Sequence, residues 1–149
     1  MSAPSVSEDV MHRLHYYRTV GGLPAHVDER GRIAVRIGGN VRAFVMVEYW
    51  GYRVRDELGE LCLHGPMIWH PVRRLTMLTR AYPDEDRTRA FEEIVRQTDS
   101  VLVEPGHSIV LPTPGDSGRG WITPVRDMFR PSMVTALAAL TECVSRGCR

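Results

Sequence analysis

An α+β fold, one domain built on a mixed β-sheet with helices mainly on one face, is what this sequence predicts. Three observations carry that expectation. Apolar residues recur at helical spacing near the start (Val6, Val10, Leu14, Tyr17) and near the end (Val134, Leu137, Leu140, Thr141, Val144). Between them the period changes to two, with short alternating runs separated by Gly, Pro and Asn. The chain of 149 residues, 43% apolar and 25% charged, is long enough to bury a core, and no linker-like stretch divides it.

The elements follow in order. Ser5-Val6-Ser7-Glu8 has the form of a capping box and opens an N-terminal helix that runs to about Arg18, ended by Gly21-Gly22. Residues 25–28 and 32–37, joined by Glu29-Arg30-Gly31, form a hairpin with Ile33, Val35 and Ile37 on one face. After Gly38-Gly39-Asn40, residues 41–48 are apolar on both faces and predict a central, two-sided strand. Residues 50–58 form a short helix, with Val54 and Leu58 four apart and Gly59 at its end. A central hairpin follows: strands 67–70 and 75–80 are joined by His70-Pro71-Val72-Arg73. Leu75, Met77 and Thr79 take one face of its second strand, and Arg74, Thr76, Leu78 and Arg80 take the other. One side packs and the other carries guanidinium groups.

Further on, Tyr82-Pro83-Asp84-Glu85-Asp86 places proline and acids at a helix start, with Ala90, Phe91, Ile94 and Val95 on the buried face. Residues 100–104 and 107–111, joined at Pro105-Gly106, read as another hairpin, stopped by Pro112-Thr113-Pro114-Gly115. A mobile loop leads to Gly120, Trp121-Ile122-Thr123 adds an edge strand, and Pro131 opens a C-terminal helix reaching Gly147. Val45, Val47, Leu75, Met77, Phe91, Ile109, Leu137 and Leu140 are expected to share one core.

The formal charge is +1, so any attraction to nucleic acid must come from local clustering. All 19 basic residues are arginine, which suits bidentate recognition of phosphate or carboxylate but equally follows from a GC-rich genome. The opening Met1-Ser2-Ala3-Pro4-Ser5 has no basic cluster leading into an apolar stretch, and no apolar run approaches the length of a membrane span. A cytoplasmic protein without a membrane partner is expected. Cys62, Cys143 and Cys148 are odd in number and read as free thiols.

Motifs for chemistry are sparse. Gly115-Asp116-Ser117-Gly118 resembles a protease nucleophile loop, but Arg119 follows where glycine is needed, so a tight surface turn explains it better. There is no Gly-x-Ser-x-Gly elbow and no Gly-rich loop ending in Lys-Ser or Lys-Thr. Neither Cys62, His64 and His70 nor the pair His12 and His15 supplies a ligand set of metal-site form. No metal or cofactor is expected.

From residue 41 the order strand, helix, strand, strand, helix, strand is the βαββαβ pattern of an RRM-like core. The succession 43–47, 65–68, 75–80 and 107–114 with Gly120-Trp121 resembles the bifunctional DNA primase/polymerase (prim-pol) domain, and in particular small actinobacterial relatives of it. Residues 124–132 resemble the ending of a group of short actinobacterial proteins. Active prim-pol domains carry Asp-x-Asp or Asp-x-Glu on the strand matching 45–48 and a histidine on the strand matching 75–80. Here those stretches read Val-Met-Val-Glu and Leu-Thr-Met-Leu-Thr-Arg. The resemblance therefore implies a retained scaffold without polymerase chemistry: a non-catalytic binding or regulatory protein. The ligand expected is nucleic acid or another phosphate-bearing molecule, held by Arg73, Arg74, Arg80, Arg119, Trp121, His70 and His107. Two rivals stand beside it, a small enzyme using His70 and His107, and a protein-interaction module anchored by Trp50, Trp121 and Phe129.

Overall fold

The computed structural model describes residues 6–81 and 89–147. Among them the order is α1 (Glu8–Thr19), β1 (Ala25–Val27), β2 (Ile33–Arg36), β3 (Arg42–Val47), α2 (Glu48–Glu60), β4 (Met67–His70) and β5 (Arg74–Thr79). Then come α3 (Glu92–Gln97), β6 (Val101–Leu102), β7 (Ser108–Val110), β8 (Gly120–Thr123) and α4 (Met133–Gly147). This is an α+β fold. Of the expected helix starts, Ser5 and residues 82–86 lie outside the described residues, as does Cys148. The cap on α1 is Ser7, whose Oγ accepts from the Val10 amide at 3.2 Å. Ser132 does the same for α4, accepting from Thr135 N at 3.1 Å. Each satisfies an amide the first helical turn leaves without a partner.

The strands form two sheets, a three-stranded one in the order β1-β2-β7 and a five-stranded one in the order β6-β3-β5-β4-β8. Every strand pairing is antiparallel, which corrects the expected mixed sheet. Among the described residues a parallel contact occurs only as the isolated bridge between Arg80 and Ser132. The hairpin expected over 100–111 is also corrected. Pro105-Gly106 does turn the chain, with Gly106 at φ 99°, but β6 pairs with β3 while β7 pairs with β2. The turn therefore hands the chain from one sheet to the other.

The five-stranded sheet is covered on both faces, and the packing divides into two clusters instead of the single core expected. On one face Ala43, Ile68 and Leu78 meet α1 and the three-stranded sheet through Leu14, Tyr17, Ile33, Val35 and Leu111. On the other, Phe44, Met46, Met67, Leu75 and Met77 meet α2 and α4 through Val54, Leu58, Leu137 and Leu140. Phe91, Ile94 and Val95 add a half-buried flank there; Ala90 is exposed. Ile109 packs against the first cluster, while Val45 and Val47 are only partly covered. The arginine-bearing face of β5 is consequently not an open surface: Thr76 is 1% and Leu78 0% exposed. Only the arginines at its two ends escape coverage.

α2 runs past Gly59 to Glu60, and Cys62 then adopts φ 57°. The Leu63 amide bonds Leu58 O and the Cys62 amide bonds Gly59 O, the closing pattern in which glycine is preferred because a Cβ is crowded there. The Cys62 thiol is exposed and gives no packing in return. Cys62→Gly is expected to raise the unfolding free energy by about 1 kcal/mol, read by chemical denaturation; an unchanged midpoint would contradict it.

Candidate functional site

The alternation of side chains fixes what the first face of the large sheet presents. Ile68 and Leu78 point into the first cluster, so His70 and Arg74, in phase with them, point the same way. Register supports this, because His70 lies opposite Arg74 and Arg74 lies opposite Val47. α1 and the small sheet cover only the half of this face nearer Ala43 and Leu78. At the other end His70, Arg74, Val45 and Val47 are half-buried, and Val101, opposite Val45, is 56% exposed. The result is a terrace with an aliphatic floor and a basic rim.

Arg119 completes the rim. It immediately precedes β8, whose Gly120 lies opposite Trp69, and its charge acts on His70. Its guanidinium pairs with Asp116, and its buried Nε has no hydrogen-bond partner. Asp116 also accepts from Gly118 N at 2.9 Å, so the segment expected to be a mobile loop is closed by a carboxylate that turns it back on itself. The arginine on β5 is similarly held: Arg74 donates to Asp99 Oδ2 at 3.0 Å and to Asp99 O at 3.1 Å. Asp99 is 79% exposed on its side chain, and a pair so open to water contributes little to stability and is easily exchanged.

His70 Nε2 and Thr76 Oγ1 are hydrogen-bonded at 2.8 Å. Burial pushes the imidazole pKa below the usual histidine value, and the Arg119 charge adds to the shift. The neutral ring is thus favoured at neutral pH. Arg73, at the hairpin tip, is exposed and has φ 58°, and Asp99 has φ 55°. Two of the left-handed non-glycine residues among those described therefore flank Arg74, and such conformations gather at functional surfaces.

Of the residues expected to act together, His70, Arg74 and Arg119 come together at the terrace with Arg73 exposed at the adjoining hairpin tip, and three do not join them. Arg80 stands at the far end of β5, where its Nε donates to Arg130 O at 2.7 Å. His107 is exposed at the turn beside the small sheet, its carbonyl accepting from Ile37 N at 2.8 Å. A site combining His70 with His107 is therefore not formed. Trp121 faces the first cluster, donates from Nε1 to Tyr17 OH at 3.0 Å and meets the Tyr17 ring edge-on at 5.7 Å. Its indole is fastened to the core and offers no free stacking platform. Nor do Trp50, Trp121 and Phe129 form a joint anchor: Trp50 packs on the second cluster, Trp121 on the first, and Phe129 is 39% exposed beside Cys62 and His64.

The sequence offered Glu48, Asp99 or Glu104 as partners for the rim arginines; Arg74 takes Asp99, whereas Asp116, the partner of Arg119, was missed. Another cleft, of about 400 Å³, lies between α2 and α4. Its charges are largely engaged, with Arg146 on Glu57 at 2.9 Å and Arg53 stacked 3.5 Å over Tyr49. No group of three or more His, Cys, Asp or Glu that could hold a metal is found among the described residues, and none of their helices is long and apolar enough to cross a membrane. Comparisons with protein-family models, curated proteins and solved structures gave no match to this chain.

Proposed function

We propose that this protein is a non-catalytic binding protein whose terrace takes a phosphate-bearing ligand, with single-stranded nucleic acid as the first candidate. The observation that carries this reading is the grouping of His70, Arg74 and Arg119 at an uncovered end of the sheet, with Arg73 exposed at the adjoining tip. Guanidinium groups grip phosphate oxygens bidentately. Their present carboxylate partners, Asp99 and Asp116, mark where an anion would sit. The strand that in prim-pol domains bears metal-binding carboxylates has Val45 and Val47 facing this surface, so a relation to that scaffold would leave binding without phosphoryl transfer.

The test is binding of short single-stranded DNA and RNA at low and moderate salt, with wild type compared to the Arg74→Ala, Arg119→Ala double variant. Counterion release makes affinity fall steeply with salt. The wild type is expected to show that fall and the variant a shallower slope with weaker binding. Identical slopes, or no binding at low salt, would count against the proposal.

A further inference from the structure

Resting on that reading, we infer that the terrace recognises a single terminal phosphate monoester, the phosphorylated end of a strand or a mononucleotide, in preference to a run of phosphodiesters. The basic groups are compact: His70 and Arg74 are directly opposed across adjacent strands, and Arg119 flanks the same histidine. Opposed residues on paired strands have Cβ atoms about 5 Å apart, so the Arg74 guanidinium, which now reaches Asp99, has its root beside His70 and can turn onto an anion seated there. A path along a strand needs successive stacking surfaces, whereas Trp121 is fastened to Tyr17 and the floor is made of Val45, Val47 and Val101.

The charge of the site points to the same ligand. His70 is faced by Arg74 and Thr76 from β5 and by Arg119 from the segment before β8, with Asp99 and Asp116 held by the two arginines; Arg73 stands at the adjoining tip. A monoester is close to a dianion above pH ~6, its second pKa, while a diester carries one charge. Burial is the larger reason the ring is neutral and the Arg119 charge adds to it; a dianion seated between His70 and Arg119 offsets that charge and favours uptake of one proton by the ring. Binding should then strengthen as pH falls from 8 to about 6.5, before the phosphate itself takes up a second proton.

The experiment titrates the protein with a short oligonucleotide carrying a 5′-phosphate, the same oligonucleotide with a 5′-hydroxyl, and a nucleoside monophosphate, at pH 8 and 6.5. At least tenfold tighter binding of the phosphorylated strand is expected, with affinity rising at the lower pH in wild type and much less in His70→Gln. Arg74→Met, at the open edge, should remove the preference without relying on the histidine variant being well folded. The mononucleotide separates the sources: binding comparable to the phosphorylated strand identifies the phosphate as the recognised group, and weaker binding adds the strand end to it. Equal affinity for phosphorylated and hydroxyl strands would overturn this inference and leave the broader reading standing. No binding by any of the three would overturn both.

Discussion

Leu75→Ala is expected to lower the unfolding free energy by about 2 to 5 kcal/mol, because the side chain is large, fully enclosed and central to the second cluster. What sets Leu75 apart is the surface above it. Gly51 of α2 lies so close to the sheet that a Cβ there would stand 2.5 Å from Leu75 Cδ1 and 3.0 Å from its Cβ. Glycine is required at this position by the close approach of helix and sheet. Gly51→Ala should therefore destabilise by about 1 to 3 kcal/mol through overpacking, despite alanine's better helix propensity. The two substitutions should not be additive. Leu75→Ala removes the atom that the new methyl would strike while leaving the Cβ contact, so the double variant should lose less than the sum of the singles. Denaturation of all three variants closes the cycle, and strict additivity would show that α2 shifts to accommodate the methyl by another route.

The sequence made most elements legible because their signals are local. Helical spacing placed α1, α2 and α4, and the alternation of residues 41–48 announced a strand buried on both sides, as Ala43, Phe44 and Met46 are. What misled was the partner of each face. On β5 the arginines at 74 and 80 make one phase look solvated, yet between them Thr76, bonded to His70, and Leu78, part of the first cluster, are sealed from water. Charge at the ends of a strand says nothing of its middle. The residues 100–111 misled for a related reason: a Pro-Gly turn sets direction, but only long-range pairing decides that β6 joins β3 and β7 joins β2. The terrace was half legible. His70, Arg73 and Arg74 are neighbours in the chain. Arg119 is expected near them through a strand at 108–111 in the same sheet, but that strand joins the small sheet, and it is β8, paired with β4, that brings Arg119 to the rim. The anchoring of Trp121 depends on Tyr17, 104 positions away, and no local pattern announces it.

Arg130 illustrates the limit of composition as a guide, and its replacement should have one of the largest effects in the molecule. In a segment rich in proline and charge it reads as a surface residue, yet it is 6% exposed. Its guanidinium donates to Gly21 O at 3.2 Å and to Asn40 O at 3.5 Å, its Nε has no partner, and no carboxylate among the described residues answers its charge. Burial pushes its pKa down, with the nearby Arg80 adding to the effect. Such a group is costly to enclose, so it must be held by what it joins: the exit of α1, the turn between β2 and β3, and the chain entering α4. Gly21 leaves no slack in that junction, since a Cβ there would lie 2.7 Å from Val125 Cγ1 and 2.8 Å from Tyr17 O. Arg130→Ala should cost about 2 to 4 kcal/mol, because it strips the buried Gly21 carbonyl of its donor where water has little access and breaks the tie to the Asn40 turn. Arg130→Lys should recover only part of this, since one ammonium cannot span both acceptors as a planar fork does. Arg130→Met retains bulk without charge and separates the two terms. Stability equal to wild type would mean that the cost of enclosing the charge cancels its hydrogen bonds, whereas a loss close to that of alanine would mean that the carbonyls, and with them the joining of the three segments, depend on the guanidinium itself.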